Sequence, residues 1–233
     1  MFEELFYRPF FNTLIFFYQY LSFGDLGVAI ILFTIFIRLL LLPVFYKSAK
    51  DQTLLQRLAP EIKKIQEAHG KNYEARGRAL MNLYKEHRVN PLSGFLMMIF
   101  QVAIMIALYR VFLRGFSPET LSSLYDFLPR PANLSHTFLN LVDLNEKNIF
   151  LVLATALAQY FQGKLSLTNT PTADSSPGAM IAKQMVYLGP LLTIFIFYLF
   201  PAAITLHWLT TTMFSVIQQM IINSRIRANY EQP

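Results

Sequence analysis

The sequence contains no cysteine. Disulfides, thiolate metal sites, a cysteine nucleophile and a lipidated N-terminal cysteine are thereby excluded. Catalytic signatures are missing as well. There is no H-E-x-x-H, no G-x-S-x-G and no glycine-rich phosphate loop. His207 is the only histidine inside an apolar stretch, which speaks against a haem or a metal pair. No catalytic residue, cofactor or metal site is therefore assigned, and the chain does not read as an enzyme. The opening MFEELFYRPFFNTL has neither a basic n-region nor a small-residue cleavage site, so it reads as neither signal peptide nor transit peptide. Polar sequence is also scarce. Apart from residues 47–90, no extended polar region leaves room for a separate soluble catalytic domain.

What is present is apolar. Hydrophobic residues make up 54% of the 233-residue chain, too many for an ordinary soluble domain of this size. A span needs roughly 20 mostly apolar residues, and several stretches qualify or nearly qualify. The sequence predicts an all-α polytopic membrane protein with five transmembrane helices, a cytoplasmic antiparallel helical hairpin and an N-terminal interfacial helix. The expected segments are an outer-surface amphipathic helix at 1–23, span one at 24–46 and the hairpin at 47–90. Span two at 91–113, an outer loop at 114–148 and span three at 149–163 follow. The chain then continues through a cytoplasmic loop at 164–184, span four at 185–200, span five at 202–222 and a short cytoplasmic tail at 223–233. Spans four and five, separated only by Pro201, are expected to form a tight hairpin.

Lys and Arg set the orientation. Ten lie in 47–90; with Lys164, Lys183, Arg225 and Arg227 they make fourteen on one side, against Arg8, Arg110, Arg114, Arg130 and Lys147 on the other. The N-terminus is therefore expected outside and the C-terminus in the cytoplasm. In the N-terminal segment, Phe2, Leu5, Phe6, Phe10, Leu14, Phe17 and Leu21 recur at roughly helical spacing around Pro9. An interfacial helix is favoured, with a sixth span as the alternative. Within 47–90, Leu54, Leu55, Leu58, Ile62 and Ile65 mark one stripe, with Pro60 opening a fresh turn. Gly70 breaks the pattern, and Ala75, Ala79, Leu80, Leu83 and His87 mark the return stripe. The Ser/Thr/Pro-rich SLTNTPTADSSPG is expected to be mobile.

One residue contradicts the apolar pattern. Arg38 lies within FTIFIRLLLLPVFY, ~13 Å from Lys47 along a continuous helix. An arginine at mid-membrane costs ~2.5–3.5 kcal/mol on insertion scales and ~10 or more in simulations. The usual remedy is a carboxylate in another span, but no expected span contains an Asp or Glu beyond Asp25 at the outer end of span one. A cation without a partner at that depth requires water, so a hydrated cavity open on at least one side is expected. Other polar groups reach similar depth: Thr34 one turn away, Gln101 in span two, Thr155, Gln159 and Gln162 on one face of span three, and Thr210, Thr211 and Thr212 in span five below Trp208. Interhelical hydrogen bonding accounts equally for the Thr and Gln residues, and an interfacial aromatic belt for Trp208.

The order of these elements resembles the YidC/Oxa/Alb family of membrane protein insertases across nearly the whole chain. The matching pieces are FIRLLLLP, LAPEIKKIQEAHG, LYKEHRVNPLSGFLMMIFQVAIMIALYRVF, FLNLVDL, FQGKLS and FPAAITLHWLTTTMFSVIQQMII. By this resemblance the chain starts where the family's core would start. It lacks the large periplasmic domain of some members and the signal sequence and lipid-attachment cysteine of others. Four departures stand out: Val102 and Ala103 where a proline follows the span-two glutamine, Ala202 or Ala203 where glycine is usual, His207 for tyrosine and Thr212 for asparagine.

The resemblance implies a membrane protein insertase and chaperone of the bacterial cytoplasmic membrane. Arg38 would be the positive centre of a hydrophilic groove in the inner leaflet. Thr34, Gln101, Thr155, Gln159, Gln162, Trp208 and Thr212 would complete it, with Lys63, Lys64, Arg76 and Arg78 on the hairpin recruiting clients. A client's polar, often acidic, segment would enter the groove, and its apolar segment would leave along spans three and five into lipid. Nascent membrane proteins, the Sec translocon, membrane lipids and the ribosome are the implied partners. The ribosome contact is weak, because NSRIRANYEQP holds only two basic residues; no direct nucleic-acid role is implied. Two other classes compete. One is a small anion or solute transporter using Arg38 as its binding site, against which no inverted repeat is found. The other is a purely structural assembly factor.

Overall fold

A computed structural model describes residues 3–114, 118–131, 134–167 and 177–230. Phe2 of the N-terminal stripe, most of SLTNTPTADSSPG and the last residues of the tail lie outside the described residues.

Among the described residues the regular structure is helical, apart from one β ladder of two residues per strand. A π-helical turn, Glu3–Tyr7, leads into α1, Arg8–Tyr20, where Pro9 sits in the first turn with no N–H to lose. Helix α1 does not lie free on a surface. Its apolar face, with Phe11, Leu14 and Ile15 fully buried, packs on α2, Leu26–Leu40, and on α6, Ser93–Arg114. Phe10 meets Phe33 of α2 edge-on, ring centres 5.6 Å apart.

Helix α2 starts at Asp25. One carboxylate oxygen of Asp25 accepts from Val28 N at 2.8 Å, capping the helix. The other accepts from Leu139 N at 2.6 Å and so ties the helix start to the outer loop. In that loop β1, Thr137–Phe138, pairs antiparallel with β2, Val142–Asp143. Three residues connect the strands; Leu141 N donates to Phe138 O at 3.0 Å, and the two residues inside that turn, Leu139 and Asn140, both take positive φ. Phe138 rests directly on Gly27: a Cβ there would stand 2.2 Å from the ring.

The first span was expected as one helix through Tyr46. The chain instead bends by 72° between α2 and α3, Leu42–Arg57. Pro43 supplies the cause. It cannot donate to Leu39 O, and its ring crowds that carbonyl, so the ladder restarts with Val44 and Phe45 donating to Leu41 O. Helix α3 then runs along α6 and buries Phe45, Ser48, Asp51 and Thr53.

After Leu58 the chain enters α4, Ala59–His69, with Pro60 in its first turn, and returns in α5, Tyr73–Glu86. Gly70 turns the chain at φ +49° and Asn72 caps α5 through Ala75 N at 3.1 Å. These two helices pack on each other and reach the rest of the molecule through α3.

The short α7, Pro118–Leu121, follows α6 in the outer loop. Helix α8, Ile149–Leu167, runs beyond the expected end of span three. Helix α9 is Pro177–Phe197, and α10 is Ala202–Tyr230, continuous through what the sequence reads as a tail. Spans four and five turn at Pro201, where Phe197 of α9 meets Trp208 of α10, ring centres 5.0 Å apart. Away from that turn each helix packs extensively on α8, which lies between them. The outer loop holds the start of α10, with Ala202 N donating to Glu146 O at 2.7 Å and Ala203 N to Leu144 O at 3.0 Å.

By length and composition, Ser93–Leu113 is the one described helix able to cross a membrane alone, and the bent α2–α3 pair passes together. Lys183–Phe197 is apolar but shorter. Polar side chains dilute α8 and α10, and those side chains define the site.

Candidate functional site

Arg38 lies in the last turn of α2, immediately before the bend, and is 4% exposed. Its guanidinium carbon stands 4.3 Å from the centre of the Phe45 ring on α3 and 6.0 Å from that of Phe214 on α10. Two aromatic faces thus stabilise the cation, with which no carboxylate pairs among the described residues. Arg38 Nη1 is buried and makes no hydrogen bond to protein.

The cation lines a cavity of about 340 Å³ between α3, α6, α8 and α10. Gln101, Gln159, Gln162, Trp208 and Thr212, all expected at the site, line it with Arg38. Lining residues that the sequence reading did not assign include Gln52 of α3, Met97, Met98 and Met105 of α6, and Thr211 and Ser215 of α10. Gln101 Nε2 and Thr211 Oγ1, like Arg38 Nη1, are buried without a protein partner. Buried polar atoms are almost always satisfied, and three atoms without a protein partner are gathered here on residues that line one cavity.

Other expected groove residues are engaged elsewhere. Thr34 is buried; its Oγ1 donates to Ile30 O at 2.6 Å and lies 2.9 Å from His207 Nδ1. Thr155 is fully buried and donates to Leu151 O at 2.7 Å. Neither lines the cavity. Gln159 Oε1 accepts from Thr193 Oγ1, which ties α8 to α9 beside the cavity. Trp208 packs against Phe197, ring centres 5.0 Å apart.

Below the cavity a polar relay joins three helices. Gln219 Nε2 donates to Thr53 Oγ1 at 3.1 Å and to Asn223 Oδ1 at 2.9 Å, and Asn223 Nδ2 donates to Leu165 O at 2.9 Å. This clamps α3, α8 and α10 together at the end nearer the hairpin. At the opposite end, Phe11, Phe33, Leu108 and Leu144 belong to one apolar cluster. Helix α6 touches α10 but makes no extensive contact with α8 or α9. The side of the cavity between α6 and α8 is therefore the least tightly closed.

The hairpin cations lie apart from the cavity. Lys63 is 4.0 Å from Glu67, Arg78 is 2.5 Å from Glu74, Arg76 stacks on Tyr73 at 4.9 Å, and Lys64 is exposed.

A bent helix carrying a buried arginine, set among long apolar helices around a polar cavity, defines a membrane protein with an internal polar site. Residues 16–229 match the model of the 60Kd inner membrane protein family, and the chain belongs to that family, the YidC/Oxa/Alb group of the sequence resemblance. It is similar to proteins named "Membrane protein insertase YidC" from Francisella tularensis subsp. novicida (strain U112), subsp. holarctica (strain LVS) and subsp. tularensis (strain SCHU S4 / Schu 4). Each is 36% identical over 211 residues, covering 90% of this chain and 34% of the relative. The chain thus spans about a third of the length of these relatives.

Proposed function

We propose that the chain is a membrane protein insertase of the bacterial cytoplasmic membrane. It would receive a client's polar segment at Arg38 and release the client's apolar segment into lipid. The observation that carries this reading is the buried Arg38, with no carboxylate partner among the described residues, on a cavity wall with further unpartnered polar atoms. The name carried by the relatives, membrane protein insertase, supports the same activity.

In this reading α2, α6, α8, α9 and α10 are five spans, with the N-terminus outside and the hairpin and C-terminus in the cytoplasm. The charge asymmetry of fourteen to five supports that orientation. A client segment entering from the cytoplasm replaces bulk water with a hydrated, charged site, and the remaining apolar distance shortens. The apolar cluster around Phe11 and Phe33 closes the outer side. The client's apolar segment then partitions into lipid at ~0.8 kcal/mol per CH₂, which drives the step without nucleotide. The sequence reading sends that segment along spans three and five. Helices α8 and α10 are packed on each other, however, so the gap between α6 and the α8–α9 pair is the better-supported exit. The exposed Met98 and Val102 flank it with flexible and apolar surface.

The hairpin, packed on α3 and continuous with α6 through residues 87–92, is suited to recruitment by Lys63, Lys64, Arg76 and Arg78. Nascent membrane proteins are the clients; the Sec translocon, membrane lipids and, more weakly, the ribosome are the partners. The transporter reading gains no observation. Photocrosslinkers at Met98 and Gln159 test the proposal in a translation system making a membrane protein. Adducts to the nascent chain from both positions, and none from the outer-surface Leu141, support it. No adducts at the cavity positions, or equal adducts at all three, contradict it.

A further inference from the structure

The bend at Leu41 opens a second recess on the far side of Arg38. Where α3 turns away from the axis of α2, α10 continues straight, and a notch of about 550 Å³ remains between them. Its walls are Leu39, Leu42, Ile217 and Ile221, all substantially exposed, with Phe214 as its inner wall. One cation stands at its lip. Arg225 lies 5.8 Å above the Tyr46 ring, and its Nη1 is 3.5 Å from the Tyr46 hydroxyl. Among the described residues no carboxylate pairs with Arg225.

From this geometry we infer that the notch is a binding site for one anionic phospholipid, an acyl chain lying against Ile217 and Phe214 and its phosphate on Arg225. The walls are mainly apolar and suit a hydrocarbon chain; besides Tyr46 and Arg225, Gln218 is the polar residue lining the notch, and its side chain is buried. The guanidinium offers a fork of donors to a phosphate, and the Tyr46 hydroxyl can add another. Arg225 lies two turns of α10 beyond Gln218 in the direction of the hairpin, the end placed in the cytoplasmic leaflet above, and there basic pockets between helices select acidic headgroups. The inference rests on that placement. An extended peptide is disfavoured, because it would leave its backbone groups unpaired against hydrocarbon walls; a helical protein occupant is an outcome of the crosslinking test below.

The site has a consequence for the groove. Phe214 forms a wall of the notch and also faces the Arg38 guanidinium. A chain seated in the notch holds that ring against the cation, so the lipid supports the charged site from behind.

Native mass spectrometry of the full chain released from nanodiscs tests this. Discs of phosphatidylglycerol and of phosphatidylcholine are compared, with variants Arg225→Gln, Arg225→Lys and Ile217→Trp. One cationic side chain near the headgroups corresponds to about a fivefold preference. The wild type should retain one phosphatidylglycerol over phosphatidylcholine by that factor. Arg225→Gln should abolish the preference, Arg225→Lys should keep it, and Ile217→Trp should reduce retention of both lipids. Ile221→Trp serves if Ile217→Trp fails to fold. Equal retention of the two lipids by the wild type, or an unchanged preference in Arg225→Gln, would overturn the inference. So would a photocrosslinker at Ile217 that yields a dimer of this chain, or a protein adduct, rather than a lipid adduct. None of these readouts requires insertion activity, so failure here leaves the insertase reading standing, and loss of client crosslinks leaves this site standing.

Discussion

Arg38 and Phe45 face each other across the α2–α3 bend, the guanidinium carbon 4.3 Å from the ring centre. In a straight helix they would lie about two turns apart along one axis. The bend at Pro43 folds the ring back over the cation, so the break in the span and the arginine form one structural unit. Removing the pair by a double-mutant cycle of Arg38→Met and Phe45→Leu should give a coupling of ~0.5–2 kcal/mol in detergent unfolding, the range for a desolvated cation–π contact. Purely additive losses would mean that the contact contributes nothing.

Of the described glycines, Gly27 has the least room for a side chain. A Cβ would meet the Phe138 ring 2.2 Å away, well inside contact distance. Gly27→Ala should destabilise by ~1–3 kcal/mol through overpacking and lower the melting temperature. Gly27→Ala combined with Phe138→Ala should recover part of that loss relative to the sum of the singles. Failure of the double variant to recover would place the strain elsewhere.

Asn12 fastens the outer loop to α1. Its Nδ2 donates to Ser123 O at 3.1 Å, and its Oδ1 accepts from Tyr125 N at 2.6 Å. The side chain is 2% exposed. Asn12→Leu should cost ~1–3 kcal/mol, because Tyr125 N loses its acceptor in a buried site and Ser123 O keeps only Arg8 Nε, at 3.2 Å. Hydrogen exchange should rise at Tyr125 and remain unchanged at Ala75 in the hairpin.

Much of the site was legible because of what the apolar stretches lack. With no carboxylate available, Arg38 demanded a polar surround, and Gln101, Gln159, Gln162, Trp208 and Thr212 do meet it on one cavity. Thr34 and Thr155 could not be separated from them by sequence, because a helical threonine can satisfy its hydroxyl on its own carbonyl one turn back; both do. Gln52 was invisible for another reason. Its place on the cavity depends on the direction α3 takes after the bend, and Pro43 signals a break without stating its angle. The extent of α10 was missed because the apolar run ends at Ile222. Asn223, Ser224 and Arg225 can still propagate a helix, and nothing before Pro233 breaks it. That α8 separates α9 from α10 is a matter of packing order, which periodicity does not record.

Topology can be read chemically. Single cysteines at Leu141, on the exposed β turn, and at Ala68, on the hairpin, can be labelled in intact cells with an impermeant thiol reagent. The chain has no other cysteine to confuse the signal. Leu141→Cys should label and Ala68→Cys should not until the cells are opened. The reverse pattern would invert the molecule.

The central claim is that the Arg38 charge attracts the client's polar segment. Two unit charges ~6 Å apart at an effective dielectric of ~20 interact by ~3 kcal/mol, on the order of a hundredfold in occupancy. Insertion should therefore be measured for paired clients that differ only in tail charge, using wild type, Arg38→Lys, Arg38→Ala and Arg38→Glu, alongside detergent melting temperatures. Lys should retain much of the activity, since it keeps the charge without the planar fork. Ala and Glu should lose it, most steeply for acidic tails. Equal losses for acidic and neutral tails, together with a lowered melting temperature, would show instead that Arg38 only holds the helices together through Phe45 and Phe214.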